Sequence, residues 1–456
     1  MALAVTRGPY LQMETPSGIT VRWRTDTASN SRVRYGTDPA NLTGAIDDAT
    51  SATEHVVKLS GLNPATKYFY SVGTSAATLA GADANHFFVT APTKGTEQPT
   101  HIWVIGDFGN GSSGQKAVRD AYFNYKGNRY THLWLMLGDN AYSDGTDAEY
   151  QSKVFDIYPT LFRQTVVWPT LGNHDGHTAD SATQSGPYYD IFSLPKQGEA
   201  GGLASGTEAY YAFDYGNIHF IVLDSYESSR ATNGAMLTWL KNDLAATTQP
   251  WIIAFWHHPP YSKGSHDSDS ETGLIEMRQN ALPILEDAGV DLVLSGHSHS
   301  YERSFLIDGH YGKSTTFDPA TMLIDGRDGR TDGDGEYQKS EDGSTPGAVF
   351  AVAGSSGSTA GGTLNHPVMF VSLNVLGSMV LDVDGPILDA KFLDSTGKAQ
   401  DSFRMVKTAS GPNSADTIPP TVSLTAPSSG ATVSNTISVS ASAADAGGVS
   451  GVQFKL

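Results

Sequence analysis

Apolar residues recur along this chain in short runs that stop abruptly at a polar side chain. Five runs have the length and composition of buried strands, and each stops at a potential metal ligand. The five ends read Gly106-Asp107, Gly138-Asp139, Gly172-Asn173-His174, Trp256-His257 and Gly296-His297-Ser298-His299. Open α/β sheets place their ligand sites outside the carboxyl ends of parallel strands. The pattern therefore predicts that these side chains meet at one sheet edge and form a metal centre.

The chain before residue 95 follows a different pattern. Short stretches alternate apolar and polar positions, and turn-forming residues separate them; they are 19–23, 32–35, 55–59, 67–72 and 86–90. This alternation is typical of an all-β sandwich, which we assign to residues 1–94. The stretch 61–70 resembles the late strands of a fibronectin type III module. No cluster of His, Asp or Glu occurs here, which favours a structural or docking role.

Residues 95–408 alternate strands with helical segments. Gln115–Tyr125 and Thr272–Ala288 carry apolar residues at helical spacing. Strands interleaved with helices predict βαβ units and a largely parallel inner sheet. After Val371 the alternating pattern returns, and we expect those strands to close the sheet. The interpretation is an α/β domain that holds all five ligand runs.

The end of the chain predicts a separate β module. Residues 409–417 are polar and read as a linker. Residues 418–456 are rich in Ser, Ala and Gly, with three or four predicted strands that resemble the opening of a bacterial Ig-like surface module. So few strands leave open sheet edges. We therefore expect this module to be partial and the natural protein to continue.

Charge and composition exclude several kinds of partner. The 456 residues carry a formal net charge of −19, which argues against nucleic acid or an anionic membrane, because both require a basic face. The chain has no cysteine, so disulfides and zinc–cysteine sites are excluded. No apolar run approaches the ~18 residues of a membrane span.

The start of the sequence bears on location. Residues 1–6 lack the charged-then-apolar layout of a signal peptide. Either the protein is cytoplasmic or this is a mature form whose export signal has been removed. We favour a secreted, cell-surface or periplasmic protein, in keeping with the acidic surface.

The donor types at the strand ends indicate the chemistry. Carboxylate oxygens and imidazole nitrogens suit metal ions that activate water. Two-metal hydrolases hold their ions close together, and a carboxylate can bridge both. Asp139 is the natural bridging ligand. The alternative is that Asp107 and Asp139 merely cap the helices that follow them.

The five blocks, taken in order, resemble the motifs of the calcineurin-like metallophosphoesterases. The motifs are Gly106-Asp-Phe-Gly109, Gly138-Asp-Asn-Ala-Tyr142, Gly172-Asn-His-Asp175, His257-His-Pro-Pro260 and Gly296-His-Ser-His-Ser-Tyr-Glu-Arg303. The Asp-x-Gly opening and the tyrosine in the second block are similar to the purple acid phosphatase branch. The resemblance implies a four-layer α/β/β/α sandwich, preceded by a fibronectin-like domain as in plant-type members.

The resemblance also implies a ligand set for two ions. The first ion would be ferric iron, held by Asp107, Asp139, Tyr142 and His299. The second would be divalent zinc, manganese or iron, held by Asp139, Asn173, His257 and His297. Tyr142 would supply a hard phenolate donor to the trivalent ion; the alternative is an ordinary core aromatic.

Four further residues receive roles from the resemblance. His174 and His266 would be catalytic, although His266 on its loop could also be plain surface. Plant members have a histidine pair where this chain has His266-Asp267, and we expect the neighbouring carboxylate to favour the His266 imidazolium. Asp175 would orient other groups, and His258 would pack beside the ligands rather than bind a metal.

The activity implied is hydrolysis of small phosphate monoesters. A metal-activated hydroxide would attack phosphorus in line while His174 and His266 assist the departing alkoxide. A phosphodiesterase or nucleotidase using the same centre is the first alternative. An adhesion or carbohydrate-binding protein with a degenerate phosphoesterase fold is the second.

Two further motifs invite other interpretations. Residues 109–114 form a GxGxxG, but Asp107 in the same turn would repel the pyrophosphate of a dinucleotide. Residues 325–336 are rich in Asp and Gly but lack the ligand spacing of an EF-hand. A solvated acidic loop is favoured there, with calcium binding as the alternative.

Overall fold

The structure is a computed structural model that describes residues 2–340, 345–408, 421–428, 430–444 and 454. The predicted linker, 409–417, lies outside the described residues. Within them, no helix has the length and apolar character needed to cross a membrane.

The N-terminal region consists of six strands. They are β1 (Val5–Thr15), β2 (Gly18–Gly36), β3 (Gly44–Ser60), β4 (Lys67–Gly73), β5 (Thr78–Gly81) and β6 (Phe87–Val89). The predicted stretches 19–23 and 32–35 lie in a single long strand, β2, because the polar residues between them stay extended. Strand β2 pairs with β1, β3 and β4, all antiparallel. The β-sandwich prediction is confirmed.

The ligand-bearing region contains most of the remaining strands. They are β7 (Thr100–Ile105), β8 (Leu133–Met136), β9 (Val166–Pro169), β10 (Tyr211–Tyr215), β11 (Ile218–Val222), β12 (Trp251–Trp256), β13 (Leu292–Ser295), β14 (Tyr301–Ser304), β15 (Leu306–Ile307), β16 (Leu323–Asp325), β17 (Tyr337–Ser340), β18 (Val349–Ala353), β19 (Met369–Leu373), β20 (Gly377–Asp384), β21 (Ile387–Asp394) and β22 (Ala399–Thr408).

The helices are mostly short. They are α1 (Ser113–Lys126), α2 (Asp147–Glu149), α3 (Pro159–Phe162), α4 (Pro187–Ile191), α5 (Ala235–Ala246), α6 (Thr272–Glu276), α7 (Leu282–Asp287) and α8 (Pro319–Met322). Both helices predicted from spacing are present. The second is α6 and α7 joined by a π-helical turn over Met277–Ala281.

The strands form two large sheets. The first has the order β17-β22-β21-β20-β7-β8-β9-β1-β2-β4-β5, with β3 and β6 attached to β2 and β4. The second has the order β10-β11-β12-β13-β18-β14-β19. Strands β7, β8 and β9 are parallel to one another, as are β11, β12, β13 and β18. Strands β20 to β22 extend the first sheet beyond β7, as the sequence predicts, and β17 forms its edge.

One pairing joins the N-terminal strands to the ligand-bearing sheet. Strand β1 runs parallel to β9, with Leu11 paired to Val166. The first sheet therefore continues from one predicted domain into the other. The boundaries placed at residues 94 and 408 remain predictions.

The two sheets pack face to face with helices outside. Trp168 of β9 stacks on Phe213 of β10 at 3.8 Å, and Tyr301 of β14 stacks on Phe392 of β21 at 4.0 Å. On the outer side of the first sheet, α1 packs through Tyr122. Helices α5 and α7 pack on the second sheet around Ile252 and Val293. This arrangement confirms the α/β/β/α prediction.

The C-terminal region contains β23 (Thr421–Ala426) and β24 (Ser440–Ala444), which pair antiparallel. Val422 and Leu424 of β23 are exposed. The sequence predicts three or four strands for 418–456; the described residues there, 421–428, 430–444 and 454, contain these two.

Candidate metal centre

Five parallel strands bring the predicted ligands to one place. Strands β7, β8 and β9 of the first sheet and β12 and β13 of the second end at facing edges. The short loops after them carry all seven predicted metal ligands, namely Asp107, Asp139, Tyr142, Asn173, His257, His297 and His299. Carboxyl ends of parallel strands share an edge within each sheet, and the packing of the two sheets brings the two edges together. The ligands therefore meet between two sheet edges, not at the single edge that the sequence pattern predicts.

Tyr142 lies at the centre of the first predicted ligand group. Its hydroxyl oxygen is 3.1 Å from Asp107 Oδ1 and 3.0 Å from Asp139 Oδ2. The same oxygen is 3.2 Å from His299 Nε2. His299 Nε2 in turn lies 3.5 Å from Asp107 Oδ1. These four side chains present their donor atoms to one small volume.

The second predicted group surrounds His257. Its Nε2 atom is 3.4 Å from Asp139 Oδ1, 3.1 Å from Asn173 Oδ1 and 3.2 Å from His297 Nδ1. On the other side of the ring, His257 Nδ1 donates to the Leu137 carbonyl at 2.9 Å. A histidine fixed in this way through one nitrogen presents the other to a metal. Asp139 contacts both groups, as a bridging carboxylate would.

The backbone at three of these positions is left-handed. Asp107, Asp139 and His297 have φ angles of +56°, +50° and +64°. Non-glycine residues rarely adopt this conformation, and it is concentrated at functional sites. The turn directs each side chain back over the strand end instead of onward along the chain.

Glycines let the loops approach one another. A Cβ atom at Gly172 would lie 2.0 Å from the Asp139 amide nitrogen, and one at Gly296 would lie 2.4 Å from Asp107 Oδ2. Neither distance is compatible with a side chain. Glycine is therefore required at these two positions by the close approach of the neighbouring loop.

The electrostatics of the cluster suit cations. Burial disfavours a charged His257, but Asp139 and Asp107 outweigh burial and raise its pKa to about 9. Burial together with Asp107 and Asp139 raises the pKa of Tyr142 well above its usual value. Phenolate formation there requires a strong positive charge nearby. The donor atoms, their burial and their shared negative charge therefore fit metal ions.

His174 lies beside this cluster and is partly exposed. Its backbone amide donates to Asp139 Oδ1 at 2.8 Å, and its ring lies 4.5 Å from the Tyr142 ring. Its Nδ1 atom is 2.5 Å from the Ser143 carbonyl oxygen. Since a carbonyl only accepts hydrogen bonds, Nδ1 carries a proton, and Nε2 lies 3.8 Å from Asp139 Oδ2.

His266 also reaches the centre, but with a different partner from the one expected. Its ring lies 3.7 Å from the His297 ring, and its Nδ1 atom is 2.9 Å from Glu271 Oε2. The Asp267 carboxylate instead pairs with Lys263. The carboxylate in contact with His266 is therefore Glu271 rather than Asp267.

Glu271 is the residue that sequence reasoning missed. Besides His266, its Oε2 atom contacts His297 Nε2 at 3.2 Å. Burial opposes ionisation of Glu271, but His297 and His266 outweigh it and lower its pKa to about 2. The available sequence signal was a carboxylate immediately before a predicted helix and five positions after His266.

Asp175 and His258 occupy supporting positions. Asp175 is fully buried and accepts hydrogen bonds from the Asn140 and Gly172 amides and from the Tyr150 hydroxyl. Burial and the nearby Asp139 raise the pKa of Asp175 to about 6. His258 Nδ1 is 2.9 Å from Ser225 Oγ. Its ring nevertheless lies close enough to His257 and His297 to share an ion, so its non-ligand role stays a prediction.

The two competing motifs have structural explanations. A Cβ at Gly109 would meet the Asn140 carbonyl at 1.8 Å, and Ser112 caps α1. Gly109 of the GxGxxG motif is therefore required by the close approach of the loop that follows Asp139. In the loop 325–336, carboxylates bind the loop's own arginines and amides, for example Asp325 with Arg327 at 2.6 Å.

Comparisons with known proteins agree with this geometry. Residues 100–301 match the family model of the calcineurin-like phosphoesterases, and residues 7–90 match that of the purple acid phosphatase N-terminal domain. Over residues 100–301 the chain is similar to the calcineurin-like phosphoesterases. Residues 420–456 match a bacterial Ig domain.

Curated relatives point to the same branch. The chain is 28% identical to purple acid phosphatase 15 of Arabidopsis thaliana over 281 residues, which cover 56% of this chain and 50% of the relative. It is 28% identical to purple acid phosphatase 1 of Ipomoea batatas over 322 residues, covering 66% and 63%. The chain thus spans half to about two thirds of these phosphoesterases.

Solved structures share the fold. Purple acid phosphatase PPD1 from yellow lupin (Lupinus luteus) seeds superposes with a TM-score of 0.67 at 17% identity, covering 89% of this chain and 73% of the lupin chain. PhoD superposes with a TM-score of 0.61 at 15% identity, covering 89% and 91%. At such identities the likeness concerns the architecture of the phosphoesterase, with its N-terminal β domain.

Proposed function

We propose that this chain is a metallophosphatase that hydrolyses small phosphate monoesters, as an acid phosphatase does. One observation carries the proposal: seven donor side chains from five separate strand ends converge within hydrogen-bonding distances of one another, with Asp139 between two groups. The match of residues 100–301 to the calcineurin-like phosphoesterase model and the similarity to purple acid phosphatases support it.

The proposed cofactors are two metal ions. Asp107, Asp139, Tyr142 and His299 would hold Fe(III), and Asp139, Asn173, His257 and His297 would hold divalent Zn, Mn or Fe. When bound, such ions acidify water for attack in line with the leaving group and neutralise phosphate charge. The negatively charged donors and the phenol of Tyr142 favour a trivalent ion in the first group.

Two histidines would act on the substrate directly. His174 has its Nδ1 proton directed to the Ser143 carbonyl, so its Nε2 can face a phosphate oxygen. His266 has Nδ1 against the Glu271 carboxylate, which leaves its Nε2 to donate a proton to the departing alkoxide. Glu271 would hold the His266 ring in place.

Replacing the shared carboxylate tests the proposal. Asp139→Asn should lose both metals and lower turnover of p-nitrophenyl phosphate at least ~100-fold, because the amide bears no charge. Asp120→Asn is the matched control, since Asp120 pairs with the neighbouring Arg119 on α1. Full activity and stoichiometric metal in Asp139→Asn would refute the metallophosphatase assignment. Stoichiometric metal in the wild type, together with loss of turnover in Asp139→Asn, would exclude the alternative of an adhesion protein.

Substrate class needs a separate comparison. The segments 176–202 and 308–347, of which 341–344 lie outside the described residues, would distinguish monoesters from diesters. Rates on p-nitrophenyl phosphate and bis-p-nitrophenyl phosphate measure the preference directly. A faster rate on the diester would replace the monoesterase proposal by the phosphodiesterase alternative.

We further propose that the protein works outside the cytoplasm, whether secreted, periplasmic or at the cell surface. The match of residues 420–456 to a bacterial Ig domain supports this placement. We also propose that residues 1–94 form a fibronectin type III-like domain. Fractionation of the native host, followed by detection of the protein, tests the proposed location.

A further inference from the structure

A short helical stretch lies between the N-terminal strands and the metal centre. It consists of α2 followed directly by π-helical turns over Tyr150–Phe155. We call residues 147–155 the linking helix. π-helical turns are uncommon and are frequently found at functional sites. Its two sides contact different parts of the molecule.

One side of the linking helix binds two arginines from β1 and β2. Arg7 donates from Nη1 to Asp147 Oδ1 at 2.9 Å and from Nε to Gln151 Oε1 at 2.8 Å. Arg24 donates from Nη1 and Nη2 to the two Asp147 oxygens, both at 2.7 Å. The Arg7 guanidinium also lies 4.8 Å from the centre of the Phe155 ring. Asp147, Gln151 and Phe155 are four positions apart and therefore share a side.

The other side of the linking helix holds the loop after Tyr142. The Glu149 carboxylate accepts hydrogen bonds from the Ser143 and Asp144 amides. Lys153 Nζ donates to the Tyr142 carbonyl and to Glu149 Oε1. Glu149 and Lys153 thus fix both the start and the continuation of this loop.

That loop connects directly to the predicted catalytic groups. The Ser143 carbonyl is the oxygen that binds His174 Nδ1. Tyr150, also on the linking helix, donates to Asp175 Oδ1 at 2.6 Å. A shift of the helix would therefore move Tyr142 and His174 together.

We propose that the N-terminal β domain positions the metal centre, with Arg7 and Arg24 acting through the linking helix on Tyr142 and His174. Arg7 is buried, and bidentate arginine–carboxylate contacts fix geometry as well as charge. Displacing catalytic groups by about 1 Å from a distance can slow a reaction roughly 100-fold. The inference rests on the proposed function for its effect on rate, but the positioning itself can be measured without turnover.

The test weakens the contact between the two arginines and the linking helix. It then measures the effect on the loop after Tyr142, which the other side of the helix holds. Asp147→Asn keeps the size of the side chain and removes its charge. Asp47→Asn is the matched control, because Asp47 forms an ion pair with Arg32 in the same N-terminal domain, away from the linking helix. Both variants are made in the whole chain.

Two measurements are needed. Amide hydrogen exchange at Ser143 and Asp144 should be about tenfold faster in Asp147→Asn, as loss of roughly one hydrogen bond predicts. On p-nitrophenyl phosphate, kcat should fall about tenfold while KM changes less than about twofold, because positioning and not binding is lost. Asp47→Asn should match the wild type in both.

A second pair of variants separates positioning from stability. Lys153→Met should reproduce the faster exchange at Ser143 and Asp144. Lys153→Arg should keep the exchange rate of the wild type, because arginine still supplies a donor to the Tyr142 carbonyl. If Asp147→Asn lowers the melting temperature but leaves exchange and kcat unchanged, the N-terminal domain only stabilises the fold and the proposal is wrong. If the wild type hydrolyses no phosphate ester, the proposed function fails, and the exchange results alone decide the positioning.

Discussion

His266 Nδ1 lies 2.9 Å from Glu271 Oε2. The same oxygen is 3.2 Å from His297 Nε2, so one carboxylate holds a predicted proton donor and a predicted metal ligand. A carboxylate behind a ligand histidine orients the ring and increases its basicity. A single side chain, Glu271, therefore sets the position of the predicted metal ligand His297 relative to the predicted proton donor His266.

Replacing this carboxylate should affect both functions. In Glu271→Gln we expect kcat to fall about tenfold, since a charge-assisted hydrogen bond of about 1.5 kcal/mol or more is lost. Steady-state kinetics and metal analysis measure the two effects. Glu276→Gln, on the same helix but paired with Arg230, is the control. Equal loss in both variants would mean that the helix, not Glu271, is responsible.

The phenol of Tyr142 should determine the colour of the protein. With ferric iron bound, Tyr142→Phe should abolish the visible absorption band while the fold is retained, because the ring still packs beside His174. Absorption spectra and iron analysis of both proteins provide the measurement. Tyr226→Phe, beside His258, is the control and should keep the band. An active, colourless wild type containing only zinc would contradict the ferric assignment.

A single methyl group at Gly172 should disrupt the centre. The new Cβ would lie 2.0 Å from the Asp139 amide nitrogen, so the Asp139 loop must move. We expect Gly172→Ala to bind metal at least ~100-fold more weakly, because a displaced bridging ligand serves neither ion. Gly273→Ala is the control, since its nearest neighbour would be 3.5 Å away. Titration with zinc, followed by calorimetry, compares the two.

The sequence predicts the centre itself because its ligands lie directly at strand ends. Once β7, β8, β9, β12 and β13 are recognised, parallel pairing brings Asp107 and Asp139 together, and the packing of the two sheets brings His257 to them. Glu271 could not be predicted in the same way. Its place depends on how the irregular loop after β12 folds beside the loop after β13, which no periodicity encodes.

The link between the two regions was likewise beyond the sequence. The pairing of Leu11 with Val166 joins residues far apart in the chain, and neither strand carries a pattern that selects the other. The same holds for Arg7 and Asp147, whose charges could pair with many partners. Helix spacing predicted α1 and α6–α7 well, but it did not predict the π-helical turns, which arise from tertiary packing.

Stability should depend on pH through Glu286, away from the metal centre. This carboxyl is buried and accepts hydrogen bonds from the Tyr311 hydroxyl and the Gly309 amide. Burial raises its pKa to about 7 from a usual value of 4.5. The protonated form is favoured in the folded state, so its contribution is complete below pH 4.5 and is lost as the pH rises to 7. The shift corresponds to about 3 kcal/mol.

The neutral analogue should remove this dependence. Urea unfolding at pH 5 and pH 8 should show that Glu286→Gln gains stability relative to the wild type at pH 8 and not at pH 5. Asp287→Asn, at the exposed neighbouring position, is the control and should follow the wild type at both values. A constant difference between Glu286→Gln and the wild type would contradict the assignment.

The left-handed backbone at Asp107, Asp139 and His297 has a consequence for directed evolution. Each such conformation costs of order 1–3 kcal/mol, which glycine would largely relieve. Selection for heat resistance alone would therefore favour variants that discard these three side chains. The most thermostable clones from such a library should be inert, so any screen to improve this protein must reward turnover at every round.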